Sequence, residues 1–376
     1  MKKIDKLIIL LVGALFIFSG LIKLNDPVGT QIKLEEYFEV FAQDVRPSSG
    51  QDNWASLFFE RLIPYALFLS VTLSALEVIL GVMLISGYRR RQAIVALLAM
   101  IVFFTFLTFY SWFFNKVTDC GCFGDAIKLT PKESFIKDVV LLLMIAYLFL
   151  RRTNLPSHTS RKGLLVTVGS MGASVGLALY AIAYLPPLDF RPYRVGNHIP
   201  SLMKPSAPFE YEYIMEKNGK QYRFREYPTD TTYHFVDMKL LNPEALPKIT
   251  DFRVYEGEND ITDSLFRGTC FLVVIHNTDD NEALVRRLSK AKTVMDALLE
   301  AQVQVKVVSP ADPNALQQVL TQAGWNRVTV ASIDHTVAKT MVRSNPGYLL
   351  LKEGRVQGKW SFRALPDFHT LQSKLK

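Results

Sequence analysis

The stretch QAIVALLAMIVFFTFLTFYSWFF, Gln92–Phe114, carries no charged side chain and is long enough to cross a bilayer core, which takes about 20 residues as helix. Arg89, Arg90 and Arg91 precede it, and a short polar link carries it into Asp119-Cys-Gly-Cys-Phe-Gly124. Four further apolar runs flank this one: Leu7–Leu24, Leu62–Ser86, Phe135–Leu150 and Gly163–Leu185. The run at Phe135–Leu150 is the shortest, and Lys137 and Asp138 in its first turn are expected at the interface. Hydrocarbon offers no partner to a backbone amide, so each run is read as a helix and the first half of the chain as an α-helical membrane bundle.

Basic residues orient the bundle. Lys2, Lys3 and Lys6, then Arg89–Arg91, then Arg151, Arg152, Arg161 and Lys162 fall on one side if the five spans alternate. Short cytoplasmic loops are rich in Lys and Arg, which puts the N-terminus inside. Residues 25–61, the cysteine loop and everything after Pro186 are then outside. No small-x-small cleavage site follows the first run, so it is read as a retained span rather than a signal peptide. The net charge of +8 is partly topological, and without an aromatic-interleaved basic surface it gives no argument for a nucleic-acid partner. The expected partner along the spans is membrane lipid.

The chain has three cysteines, and two of them, Cys120 and Cys122, flank Gly121. Outside the cytosol a disulfide forms and persists. A bridge across one residue needs a bend at the centre, which Gly121 permits, and strain in such a ring favours electron exchange over bracing. Three rival readings stand beside redox exchange: a static staple, a copper or zinc site, or two unrelated small buried residues. Scattered histidines supply no further ligands, so no metal is assigned. Asp119 and Asp125 would raise the thiol pKa values, and Lys116 and Lys128 would lower them.

These residues suggest a family. Asp119-Cys-Gly-Cys-Phe-Gly124 before an apolar span resembles the methylamine-utilisation MauE branch of the DoxX-like membrane proteins. Gly13-Ala-Leu-Phe-Ile-Phe-Ser-Gly20 with Lys23, Asp26 and Pro27, and Ser74-Ala-Leu-Glu-Val-Ile-Leu-Gly81, are similar to its first two spans. The resemblance covers roughly residues 1–150. It implies a four-helix unit active in exoplasmic disulfide chemistry or quinone-linked electron transfer, with Cys120 and Cys122 as reacting groups. Asp119, Gly121, Phe123 and Gly124 would support the loop.

Glu77 lies within an apolar span, where an ionisable side chain is costly and a function is the default. It is read either as a proton relay or quinone contact, or as a protonated acid bonded to Ser70, Thr72, Ser74 or a neighbouring helix. Lys23 and Asp138 fall at outer helix ends within reach of the cysteine loop, with snorkelling the commoner explanation for Lys23. Tyr110, Trp112, Phe113 and Phe114 read as an interfacial belt compatible with an aromatic pocket for a quinone ring. The fifth span, rich in small residues from Gly169 to Gly176, is expected to pack tightly on the bundle.

Pro186 and Pro187 end that span, and a Pro-containing linker follows. Asn218-Gly219 between Tyr211–Met215 and Gln221–Phe224 signals a hairpin. From about residue 260, strands and helices alternate: Cys270–His276, Glu282–Ala301, Val303–Val308, Asn314–Ala323, Val328–Ala331, Thr336–Met341, Tyr348–Lys352 and Arg355–Trp360. That order resembles an exoplasmic α/β thioredoxin-like domain, with Pro346 at the position of the family's cis-proline. Where that family places its Cys-x-x-Cys, this chain has His276-Asn-Thr-Asp-Asp-Asn281. Thiolate chemistry is absent there, Cys270 reads as an inert core residue, and the domain reads as a docking module.

The expected organisation is a membrane unit at 1–152, a fifth helix at 153–186, a linker with a small β element at 187–259, and the thioredoxin-like domain at 260–376. Two functions follow for a multi-pass protein of a bacterial inner membrane with its C-terminal domain in the periplasm. One is thiol–disulfide or quinone-linked electron transfer with an exoplasmic thiol protein as client. The other is a non-enzymatic scaffold or maturation factor that holds a client with its outer domain.

Overall fold

A computed structural model describes residues 2–47, 50–117 and 121–375. Asp119 and Cys120 lie outside the described residues. The chain divides into two compact units, 1–190 and 191–376.

The first unit is helical. It comprises α1 (Lys3–Asn25), α2 (Pro27–Val45), α3 (Trp54–Leu62), α4 (Ala66–Ser86), α5 (Arg90–Phe114), α6 (Pro131–Leu150) and α7 (Arg161–Ala183). Local chemistry sets several ends. The Asp26 carboxylate accepts from Gly29 N ahead of Pro27 at the first turn of α2. Thr130 and Glu133 form a capping box around Pro131 at the start of α6, and left-handed Gly87 closes α4. Residues 25–61, expected as a loop, are thus largely the helices α2 and α3.

The core of the bundle is an apolar layer of Val12 and Phe16 from α1, Leu84 from α4, Ile94, Leu97 and Ile101 from α5, and Leu141, Ile145 and Leu148 from α6. Among the described residues, four helical segments are long and apolar enough to cross a membrane: α1, α3–α4 as one segment through the turn Ile63–Tyr65, α5 and α7. The fourth expected span differs. Its helix, α6, belongs to the core, but Glu133, Lys137 and Asp138 occupy its first half. The apolar remainder, Val139–Leu150, reaches about 18 Å, short of the ~30 Å hydrocarbon core.

α7 packs on the bundle through Ser174 and through Ala178, which meets Leu24, Ala75 and Val78, but its glycines stand open. An added Cβ at Gly169, Gly172 or Gly176 would meet nothing within 4 Å. Close packing lies instead between α1 and α4. A Cβ on Gly81 would come within 2.7 Å of Gly13 O, and one on Gly20 within 2.6 Å of Ser74 O. Helices approach backbone to backbone only where side chains are missing.

The second unit contains α8 (Ile199–Leu202) and a three-stranded antiparallel sheet, β1 (Tyr211–Lys217), β2 (Lys220–Phe224) and β3 (His234–Leu240), in the order β2-β1-β3. Asn218 and Gly219 both have positive φ, 52° and 72°, and close the β1–β2 hairpin with Lys217 opposite Lys220. Next come β4 (Val254–Glu256), β5 (Asn259–Asp260), β6 (Thr269–Val274), α9 (Asn281–Glu300), β7 (Gln304–Ser309) and α10 (Pro313–Gln322). The chain ends with β8 (Val330–Ile333), α11 (His335–Met341), β9 (Gly347–Lys352), β10 (Arg355–Ser361) and α12 (Phe368–Leu375).

These strands form a seven-stranded sheet, β10-β9-β6-β7-β8-β4-β5. The β6–β7 and β7–β8 pairs are parallel, β9 runs antiparallel to β6, and β10 antiparallel to β9. Leu284, Leu288 and Met295 of α9 pack on Phe271, Val273 and Val307 of the sheet. β4 pairs with β8, so the larger sheet begins before the boundary expected at residue 260. The fifth helix, α7, falls within the first unit.

Candidate active site: a charged cavity under the cysteine loop

The turn after α5 is built on glycines. Gly121 and Gly124 have φ of 63° and 49°, in the left-handed region that favours glycine. Gly124 N donates to Gly121 O and Ala126 N to Phe123 O, folding the loop back on itself. Ser19 of α1 donates its hydroxyl to the Cys122 carbonyl at 3.0 Å. Phe123 is buried and packs 5.7 Å from the Phe18 ring. A Cβ on Gly121 would sit 3.1 Å from Lys33 Cγ of α2.

Beneath the loop lies a cavity of about 80 Å³ with Gly121, Cys122 and Phe123 in its wall. Its sides are mostly apolar, with Phe16, Leu34, Ile101, Phe104 and Leu141 among them. Five charged side chains from four helices line this apolar space: Lys23, Lys33, Glu77, Lys137 and Asp138. Lys23 Nζ donates to Glu77 Oε1 at 2.6 Å and lies 4.7 Å from the Phe104 ring centroid. Lys137 pairs with Asp138, whose Oδ2 accepts from Thr108 Oγ1 at 3.0 Å. The Lys137 ammonium also lies 5.4 Å from the Phe123 ring centroid. Glu77 Oε2 and Ser74 Oγ are buried without a hydrogen-bond partner among the described residues, an expensive state unless something else satisfies them.

Of the residues singled out in the sequence, Glu77, Gly121, Cys122 and Phe123 come together at this cavity, while Gly124 shapes the loop beside Ile22. Lys23 does not snorkel. It is 8% exposed and turned inward to Glu77. Neither Ser70 nor Ser74 serves Glu77: Ser70 donates to the Pro27 carbonyl instead. Tyr110, Trp112, Phe113 and Phe114 do not line the cavity; Tyr110 bonds Asp44 and Trp112 stacks on Phe135. The aromatic surface there comes from Phe16, Phe104, Phe123 and Tyr37. Lys116, expected to act on the thiols, pairs with Asp44, and Lys128 is exposed.

Sequence reasoning passed over Lys137 as an interfacial charge. The signal available was two adjacent charges, Lys137 and Asp138, opening an apolar helix directly after the cysteine loop.

In the second unit, Cys270 is fully buried in β6, and burial pushes its thiol up to about 12. The loop after β6 carries His276, whose backbone N–H donates to Asn345 Oδ1 at 3.0 Å; Asn345 Nδ2 returns a bond to Asn277 O. The Asn345–Pro346 peptide is cis. Burial, with Lys339, His335 and Arg343 nearby, lowers the His276 pKa to about 4.

Comparison with known proteins bears on both units. Residues 1–151 match the family described as methylamine utilisation protein MauE. Residues 209–241, which hold the three-stranded sheet, match a domain of unknown function, DUF8463. Protein TlpB of Flavobacterium psychrophilum is 27% identical over 150 residues, covering 39% of this chain and 36% of the relative. That match spans little more than a third of the relative's length. No solved structure matches the chain. The helical unit with the cysteine loop and its charged cavity is thus the part of the chain that is similar to the MauE family, in a multi-pass membrane protein whose C-terminal unit is α/β.

Proposed function

We infer that the Cys120–Cys122 pair is a redox site that exchanges electrons with an exoplasmic thiol protein. The reading is carried by one observation: Cys122 and the buried Glu77 line the same cavity. A client dithiol attacks the Cys120–Cys122 disulfide. The client leaves oxidised, and the pair gains two electrons and two protons as thiols. Reoxidation reverses that transfer, and Glu77 receives a thiol proton on its way out of the cavity. The chain is taken as an inner-membrane protein of a bacterium with its N-terminus cytoplasmic and the loop and C-terminal unit periplasmic. This requires α6 to cross as a shortened fifth span, with Arg151 and Arg152 at its cytoplasmic end, and the basic residues at one set of helix ends support it.

A membrane quinone would supply the two-electron, two-proton acceptor. The chemistry of the cavity fits a quinone ring: apolar and aromatic walls, with the Lys23 and Lys137 ammonium groups as donors for a carbonyl oxygen. Phe104 and Phe123 are the aromatic residues of this wall that would hold such a ring, and the apolar lining would keep bulk water away from the sulfur.

The C-terminal unit reads as a thioredoxin-like docking domain for the client, supported by the parallel β6–α9–β7 unit flanked by the antiparallel β9–β10 pair. His276–Asn281 offers no thiol after β6, so this unit holds the client while the membrane unit performs the chemistry. Cys120→Ser and Cys122→Ser variants test the pair. One of them is expected to accumulate a mixed disulfide with a periplasmic protein, released by reductant. If neither traps a partner, the chain is a scaffold without thiol exchange.

A further inference from the structure

The charges in the cavity are not equivalent. Lys23 is committed to Glu77, a residue on another helix, at 2.6 Å. Among the described residues Lys137 forms an ion pair with its neighbour in sequence, Asp138, and Asp138 divides its oxygens between Lys137 and Thr108. The Lys137 ammonium is also held over the ring of Phe123, the residue after Cys122, and lies within electrostatic reach of Cys122 itself. A thiolate is the reacting form in disulfide exchange, and a fixed cation nearby favours it.

We propose that Lys137 is the electrostatic partner of the Cys122 thiolate, with Asp138 competing for the same ammonium and so setting how strongly the sulfur is stabilised. The inference rests on the redox reading above and deepens it. When Cys122 ionises, its S–H bond breaks, the electron pair stays on sulfur beside Lys137, and the proton leaves through the Glu77 carboxylate. The other titratable groups lining the cavity are Lys23 from α1, Lys33 and Tyr37 from α2, and Glu77 from α4; Asp125 lies on the loop itself. From α5, the cavity receives Thr108 and apolar side chains, with no charged group.

The test measures ionisation of Cys122 as the sole thiol, in the full-length Cys120→Ser, Cys270→Ala protein in membrane vesicles, by its rate of alkylation with iodoacetamide from pH 5 to 10. Lys137→Gln is expected to move the midpoint up by about one unit, since a neighbouring opposite charge shifts an ionisation by that order. The rate at pH 7 then falls about threefold, because greater basicity of the sulfur offsets part of a tenfold loss of thiolate. Lys137→Arg should retain the original midpoint. Asp138→Asn should move it down and raise the rate, a change of opposite sign that loosened packing would not give. An unchanged midpoint in Lys137→Gln, or movement of Lys137→Gln and Asp138→Asn in the same direction, overturns the proposal. The assay reads an ionisation rather than turnover, so its failure leaves the mixed-disulfide test of the redox reading standing.

Discussion

Lys23 of α1 and Glu77 of α4 form a 2.6 Å ion pair inside the helical unit, where their side chains are 9% and 1% exposed. Two charges taken out of water are tolerable only together: removing one leaves the other uncompensated, whereas replacing both by apolar groups can be neutral. The pair thus ties two helices that also meet through Gly13, Gly20 and Gly81.

This gives a first prediction. Lys23→Met or Glu77→Gln alone should cost about 3 kcal/mol of stability, and Lys23→Met with Glu77→Met should recover most of the loss. Thermal unfolding of the purified protein in detergent, followed by circular dichroism, checks it. Additive losses in the double variant would mean the two side chains do not depend on each other.

The glycine contact gives the second. Gly81→Val places a Cβ within 2.7 Å of Gly13 O and 2.8 Å of Ile17 Cγ1. A backbone oxygen cannot swing aside, so α1 and α4 must separate, at about 1–3 kcal/mol. Gly172→Val on α7, where a Cβ meets nothing within 4 Å, should be near neutral. Melting temperatures of the two variants, measured side by side, decide the matter.

A third concerns His276. Its pKa is lowered to about 4 by burial and by the neighbouring Lys339, His335 and Arg343. The unfolded chain binds a proton near pH 6.5, and the folded unit resists it until about pH 4. The stabilising contribution is therefore complete above pH 6.5 and is lost as pH falls towards 4, by up to about 3 kcal/mol. Urea unfolding of the full chain, followed through the C-terminal sheet, should weaken over that window, and His276→Phe should flatten the slope. A slope that survives the substitution assigns it to other groups.

Much of the architecture was legible because it depends on local pattern. Uncharged runs such as Gln92–Phe114 declare helices of membrane length. The buried run of β6 and the Asn218-Gly219 turn likewise declare strands and a hairpin. What was hidden depends on contacts far apart in sequence. Nothing local to Lys23 shows that it turns inward, because its partner lies 54 residues away on another helix. The glycines of α7 look like a packing stripe in sequence, but only the neighbours of α7 decide whether anything faces them, and Gly13, Gly20 and Gly81 carry that contact instead. The apolar part of α6 is short for a reason its sequence does state, the charges at Glu133, Lys137 and Asp138. Two of them, Lys137 and Asp138, also line the cavity under the loop.

The central claim is that the pair flanking Gly121 turns over. Acid quenching of intact cells, followed by alkylation with a mass-tagging reagent, reads the redox state of Cys120 and Cys122 with and without membrane quinone. The account predicts an oxidised pair when quinone is present, a shift to the reduced form on quinone depletion, and slower reoxidation in Glu77→Gln. A pair that stays in one state under every condition would contradict it.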